Sequence, residues 1–189
     1  MDITQDLLQQ LSGEKVDHIS QQIGADRGTT MEAISTAVPF LISALAKNSS
    51  QQGGAEALHN ALQRDHDGGI LDDIIGYLGN PDSVNGRGIL DHVLGNRQNV
   101  TETALSRQTG LNTASIGRLL AILAPIIMAY LGRTQRQGGF DPGSLSGYLE
   151  GQQQRAKERS PGMIGMLTDL LDSNNDGSVL DDILNKFSK

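Results

Sequence analysis

Apolar residues in this chain recur at the spacing of a helix and almost nowhere at the spacing of a strand. Ile3, Leu7, Leu8 and Leu11 fall on one helical face. Ile34, Val38, Leu41, Ile42 and Leu45 do the same, as do Ile116, Leu119, Leu120, Leu123, Ile127 and Leu131. Residues three and four apart stack on one side of a helix, so each set makes a stripe that must be buried. Period-two runs of Val, Ile, Thr and aromatics, which a half-buried strand needs, do not occur. The chain is therefore expected to be all-α.

Two of these helical runs sit in a repeated frame. Ile19–Leu45 lies over Leu105–Leu131 without a gap, at an offset of 86 residues. Ser20 falls on Ser106, Gln22 on Gln108, Gly24 on Gly110, Pro39 on Pro125 and Leu45 on Leu131. Both copies read as a short helix, a Gly turn, and a longer apolar helix with a proline inside it. A proline there removes a backbone hydrogen bond and bends the helix or divides it. The frame predicts an internally duplicated multi-helix bundle around two Pro-bent core helices. Residues 1–98 would form the first repeat and 99–189 the second, packed as one compact pseudo-symmetric unit.

A shorter repeat follows each long run. It reads GILDDIIG from Gly69 to Gly76, GILDHVLG from Gly88 to Gly95, and SVLDDIL from Ser178 to Leu184. Apolar residues at i, i+1, i+4 and i+5 mark one face of a short amphipathic helix that would latch onto the long ones. Asp72, Asp91 and Asp181 are expected in the first turn, where a carboxylate complements the helix dipole. Stretches rich in Gln, Gly, Ser or charge at Asn48–Gly54, Arg133–Gly143 and Gly151–Pro161 read as linkers.

Composition removes several function classes. The net charge is -7, the opposite of what phosphate contacts require. Aromatic residues make up 3% and Trp is absent, so stacking platforms for bases or sugars are not expected. There is no cysteine, hence no thiolate metal site or disulfide. Met1–Leu11 is polar and carries Asp2 and Asp6, unlike a secretory leader. The most apolar run, Leu119–Leu131, is too short to span a bilayer. A cytoplasmic protein without a membrane span is expected.

Asp outnumbers Glu by sixteen to six, and one Asp-rich turn has metal-binding character. Asp172, Asn174 and Asp176 stand at positions 1, 3 and 5 of a loop with Gly177 at 6, like the start of a calcium loop. The Ser178 carbonyl would add a ligand. The bidentate Glu expected at position 12 is replaced by Ile183, leaving Asp181 and Asp182 as substitutes. Calcium at Asp172, Asn174, Asp176, Ser178, Asp181 and Asp182 is one reading. The other is an Asp/Asn/Gly turn that caps backbone N–H groups and starts a helix. His59, His66 and His92 have no spacing that calls for zinc.

Leu105–Leu119 follows a helix-turn-helix pattern, with Gly110 at the turn, Leu111 and Ile116 as anchors, and Arg107, Asn112 and Arg118 as the side chains that would meet DNA. Its second helix runs directly into LLAILAP, and the corresponding first-copy segment carries Asp26 and Glu32. Such a corner is also a common packing unit. No Ser–His–Asp order, phosphate-cradling Gly loop or HExxH helix is present. Adjacent pairs such as Asp72-Asp73 diverge around a helix and do not form an acid/base pair.

The segments ISQQIG…AVPFLISAL and LSRQTG…LAPIIMAYL, with DHDGGILDDIIGYLG and NNDGSVLDDILNKF, together resemble the YidB-like bacterial family, catalogued as domain of unknown function nine-three-seven. The resemblance runs from about Leu7 to Phe187. It implies an all-helical bacterial protein, sometimes described as homeodomain-like in shape, and brings no established activity or catalytic residue.

The expected function is thus a non-enzymatic helical scaffold or protein-interaction module, calcium-stabilised at the C-terminal loop if that loop holds a metal. Its partner would be another protein or a second copy. Nucleic acid is not the expected ligand, and no small-molecule substrate is indicated. The alternatives are a DNA-binding protein using residues 105–120 and an unrecognised hydrolase.

Overall fold

The computed structural model describes residues 2–159, and these are all-α, without a strand. The chain opens with α1 (Ile3–Gln10) and α2 (Glu14–Ile23), followed by the long α3 (Arg27–Ser49) and α4 (Gly54–Asp65). A 3-10 turn at Gly69–Leu71 leads to α5 (Ile74–Gly79), and α6 (Gly86–Leu94) follows. Next come α7 (Gln98–Thr109), the long α8 (Thr113–Gly138) and α9 (Pro142–Arg159).

The two long helices begin in the same way. Each preceding helix ends at a glycine in the left-handed region, Gly24 with φ 69° and Gly110 with φ 74°. A residue with a β-carbon is strained there, which is why glycine closes both turns. Two residues later a short polar side chain caps the next helix. Asp26 accepts the Thr29 N–H at 3.0 Å, and Asn112 accepts the Ser115 N–H at 2.8 Å. These four positions keep the 86-residue offset.

Pro39 and Pro125 lie inside continuous helices and divide neither. Pro125 has no N–H to give the Ala121 carbonyl. The start of α6 closes on that carbonyl: a β-carbon at Gly86 would stand 2.0 Å from the Ala121 oxygen. One residue on, the Tyr77 hydroxyl donates to the Ile122 carbonyl at 3.0 Å. The proline break is thus covered by α5 and α6.

From Ala33 to Ala46, α3 is buried on nearly every side, and α8 is buried from Ile122 to Gly132. Helices apolar all round belong at the centre. Each fully buried Leu or Ile there contributes roughly 1.5–3 kcal/mol by leaving water. One apolar cluster runs from Ile3 to Leu149 and includes the stripes read from the sequence; Leu8 packs at its edge. By length and composition, α3 and α8 are each apolar enough to cross a bilayer, and 78% and 72% of their apolar windows are buried within the protein. The Leu119–Leu131 run is therefore the middle of a 26-residue helix, not the whole of a short one.

Four local expectations are corrected. Arg133–Gly138 continues α8, and residues 151–159 belong to α9, so neither stretch is a linker. The periodicity there is hidden because α9 buries only Leu145, Leu149, Gln152 and Ala156 on a polar surface. Asp72 is not in the first turn of a helix. Asp73 caps α5 through the Gly76 N–H at 2.8 Å, while Asp72 reaches Arg133. Asp91 is likewise well inside α6, whose cap is Asn85, bonded to the Gly88 N–H at 2.9 Å. In the Gly88–Gly95 copy the latch residues pack as the pattern requires: Leu90, Val93 and Leu94 are buried, and α6 lies against α8. In the Gly69–Gly76 copy the single helix expected is a 3-10 turn followed by α5, and Ile75 is 40% exposed.

Candidate functional site: a groove between α4 and α6

A groove of about 720 Å³ runs between α4 and α6. Its floor is Leu45 from α3 and Met128 from α8. Ala57, Leu58 and Ala61 line one wall, and Val84, Ile89 and Val93 the other. Leu58, Ala61, Val84 and Ile89 are only half-buried and Ala57 is exposed. The lining reaches from Gly54 to His66, the full length of the 12-residue α4, or about 18 Å at 1.5 Å per residue.

One end of the groove is fastened through Asn48. Its amide donates to the His92 carbonyl at 3.2 Å and the Val93 carbonyl at 2.8 Å, tying the end of α3 to the last turn of α6. The bonded groups are orphan carbonyls of a helix terminus. At 2.8 Å from the Gly88 carbonyl, His92 Nδ1 must be the donor, because a carbonyl only accepts.

The other end carries Arg64, Asp65 and His66. Arg64 and Asp65 pair at 2.7 Å, and the guanidinium holds the Asp65 carboxyl below its ordinary range. Burial lowers the pKa of His66 against the opposing pull of Asp65 and Asp67. With Arg97, the polar residues of the lining are two guanidiniums, two imidazoles, one carboxylate and several side-chain amides. Among the described residues the lining holds no hydroxyl, thiol or amine side chain; its side chains with nucleophilic character are the Asp65 carboxylate and the His66 and His92 imidazoles. Its chemistry is apolar contact framed by donors and positive charge.

The residues singled out from the sequence are distributed elsewhere. Asp172, Asn174, Asp176, Ser178, Asp181 and Asp182 lie outside the described residues. Among the described residues, no three of His, Cys, Asp and Glu cluster as a metal site. His59 faces the Phe140 carbonyl at 3.1 Å, away from His66 and His92 in the groove. In the helix-turn-helix segment, Arg107 is exposed and Asn112 is engaged as a cap. Arg118 pairs with Asp82 at 2.5 Å and donates to Gln22 at 3.0 Å. Leu111, Ile116, Leu119 and Leu120 are buried, and Ser115 donates to the Ile23 carbonyl at 2.7 Å.

The groove itself was missed in the sequence. The signal for it is the Ala57, Leu58, Ala61 and Leu62 pattern on an otherwise polar helix. Leu62 fills the core, leaving the two alanines and Leu58 as a shallow second stripe.

No curated protein and no solved structure matches the chain. A family model does match, over residues 5–134, which takes in α2 through most of α8 and both walls of the groove. The chain belongs to that family, described as bacterial protein of unknown function (DUF937).

Proposed function

We propose that this chain is a non-enzymatic protein-interaction module that takes an acidic amphipathic helix of a partner protein into the α4–α6 groove. The observation that carries the reading is the groove: an apolar floor and walls about three helical turns long. An amphipathic helix laid into such a groove anchors residues at i, i+3, i+4 and i+7. The two guanidiniums in the lining, Arg64 and Arg97, against the single Asp65 carboxylate favour acidic flanks on the incoming helix.

The test uses synthetic amphipathic helices of three to four turns, made in matched versions with acidic and with lysine flanks. Each is titrated into isotopically labelled protein and followed by amide shifts. Acidic-flanked peptides are expected to shift residues of α4 and α6, and Ala57→Glu, on the exposed wall, to abolish the effect. Shifts with no peptide in this groove, or tighter binding of the lysine-flanked set, would overturn the proposal.

A further inference from the structure

The groove between α4 and α6 has a counterpart elsewhere in the fold, between α9 and α1. α1 lies on α3 as α6 lies on α8, and α9 packs on α3 as α4 packs on α8. Matching roles give the register of each pair. Asp2 caps α1 through the Gln5 N–H and Asn85 caps α6 through the Gly88 N–H, at an offset of 83 residues. Leu7 and Leu11 then fall on Leu90 and Leu94, and all four are buried. In α4 and α9 an offset of 87 sets Leu58 on Leu145 and the fully buried Leu62 on the fully buried Leu149.

In these registers the two sides differ in the size of a few side chains. Ala61 of the groove stands at the place of Tyr148 in α9, and Ile89 at the place of Asp6 in α1. At the 86-residue offset of the long helices, Ala44, next in sequence to Leu45 of the groove floor, stands at the place of Tyr130. The α1–α9 side is filled by its two tyrosines. The Tyr130 hydroxyl donates to Asp6 at 2.7 Å. Burial raises the pKa of Tyr148, and the charge of Asp6 raises it further, so Asp6 serves both rings. The Tyr148 ring also meets Phe140, with 5.3 Å between centroids. Leu145, on the same helix as Tyr148, is 1% exposed, whereas its counterpart Leu58 is half-buried in the open groove.

We infer, resting on the reading of the groove given above, that the helix it takes carries a phenylalanine anchor seated over Ala61 and Ile89, in the place held on the α1–α9 side by the Tyr148 ring. Flanking leucines at matched positions already accept a ring there. In the groove Ala61 supplies none, so the ring comes from the partner. Ile89 in place of Asp6 removes the carboxylate that would meet a tyrosine hydroxyl, and a hydroxyl that leaves water without an acceptor is penalised. Met128 on the floor offers a thioether, which packs favourably against an aromatic ring. Buried aromatic anchors of this kind carry much of the binding energy of an interface.

The test uses the acidic-flanked peptides of the preceding experiment with phenylalanine, tyrosine, leucine or alanine at the central anchor. Each is titrated into the wild-type chain and into Ala61→Phe, and the amide shifts give Kd. The phenylalanine peptide is expected to bind wild type tightest, with alanine weaker by about tenfold or more. Ala61→Phe supplies the ring from the protein itself, so it is expected to reverse the order, rejecting the phenylalanine peptide and keeping the alanine one. If that variant does not fold, the wild-type series decides alone. Leucine or tyrosine binding wild type as tightly as phenylalanine would overturn the inference and leave the reading of the groove standing. No shift in α4 and α6 with any of the four would overturn both.

Discussion

The His66 carbonyl lies against Gly132 so closely that a β-carbon at position 132 would stand 1.9 Å from its oxygen. The contact is backbone against backbone, so neither side can swing away. Gly132→Ala is expected to destabilise the protein by about 1–3 kcal/mol, as overpacking does, outweighing the gain of about 1 kcal/mol in helix propensity. Gly147, inside α9 with nothing near its missing β-carbon, is the control: Gly147→Ala should stabilise by about 0.5–1 kcal/mol. Urea unfolding of both variants measures the contrast, and equal behaviour would remove the close approach from the account.

Asn48 ties α3 to the last turn of α6 through two carbonyls. Asn48→Ala should cost about 1 kcal/mol, the net worth of such bonding. It should also free that end of the groove. Hydrogen exchange is the direct measure: amides in the last turn of α6 should exchange faster, while those of α2 are unchanged. Uniform acceleration across all helices would point to general destabilisation instead.

His66 is more acidic in the folded protein than its ordinary 6.5 because burial disfavours the imidazolium. The unfolded chain therefore takes up this proton first. The stability tied to neutral His66 is complete above 6.5 and is lost as the pH falls through the folded pKa. Urea midpoints taken above and below that value should fall in acid for the wild type and fall less for His66→Gln. An identical acid response in both would assign the loss to other groups.

Gln135 is 3% exposed, with its Nε2 3.5 Å from the His59 carbonyl and its Oε1 without a partner among the described residues. A buried acceptor left unmet costs about 1–3 kcal/mol. Methionine has a similar length and no such acceptor, so Gln135→Met is expected to raise stability by about 1 kcal/mol despite losing the long Nε2 contact. A calorimetric melting point below that of wild type would show that the amide earns its place.

The legible parts of this fold were those set by one helix at a time. The stripes on α3 and α8 are period and burial, and the corners at Gly24 and Gly110 need a backbone that only glycine adopts easily. Less was legible where two elements decide together. Nothing local to Asp72 says that Arg133, 61 residues away, will claim it and leave Asp73 to cap α5. The helix α9 has a weak stripe because it packs by a few spaced residues, one of them Gln152, which accepts the N–H that opens α1 at 3.1 Å. The groove was harder still. It is a gap between surfaces, and its walls are built from side chains that a single-helix pattern reads as small and indifferent.

The groove also draws its parts unequally from the chain. Its walls and the Leu45 side of its floor come from residues 45–97, but Met128 closes the bottom, and the α6 wall rests on α8. Severed before α7, the first segment would carry nearly every residue of the groove and none of the bed beneath it. Recovery of the groove would then report that the second segment had found the first. The cleft is in effect a coincidence detector, assembled only when two pieces of one chain meet.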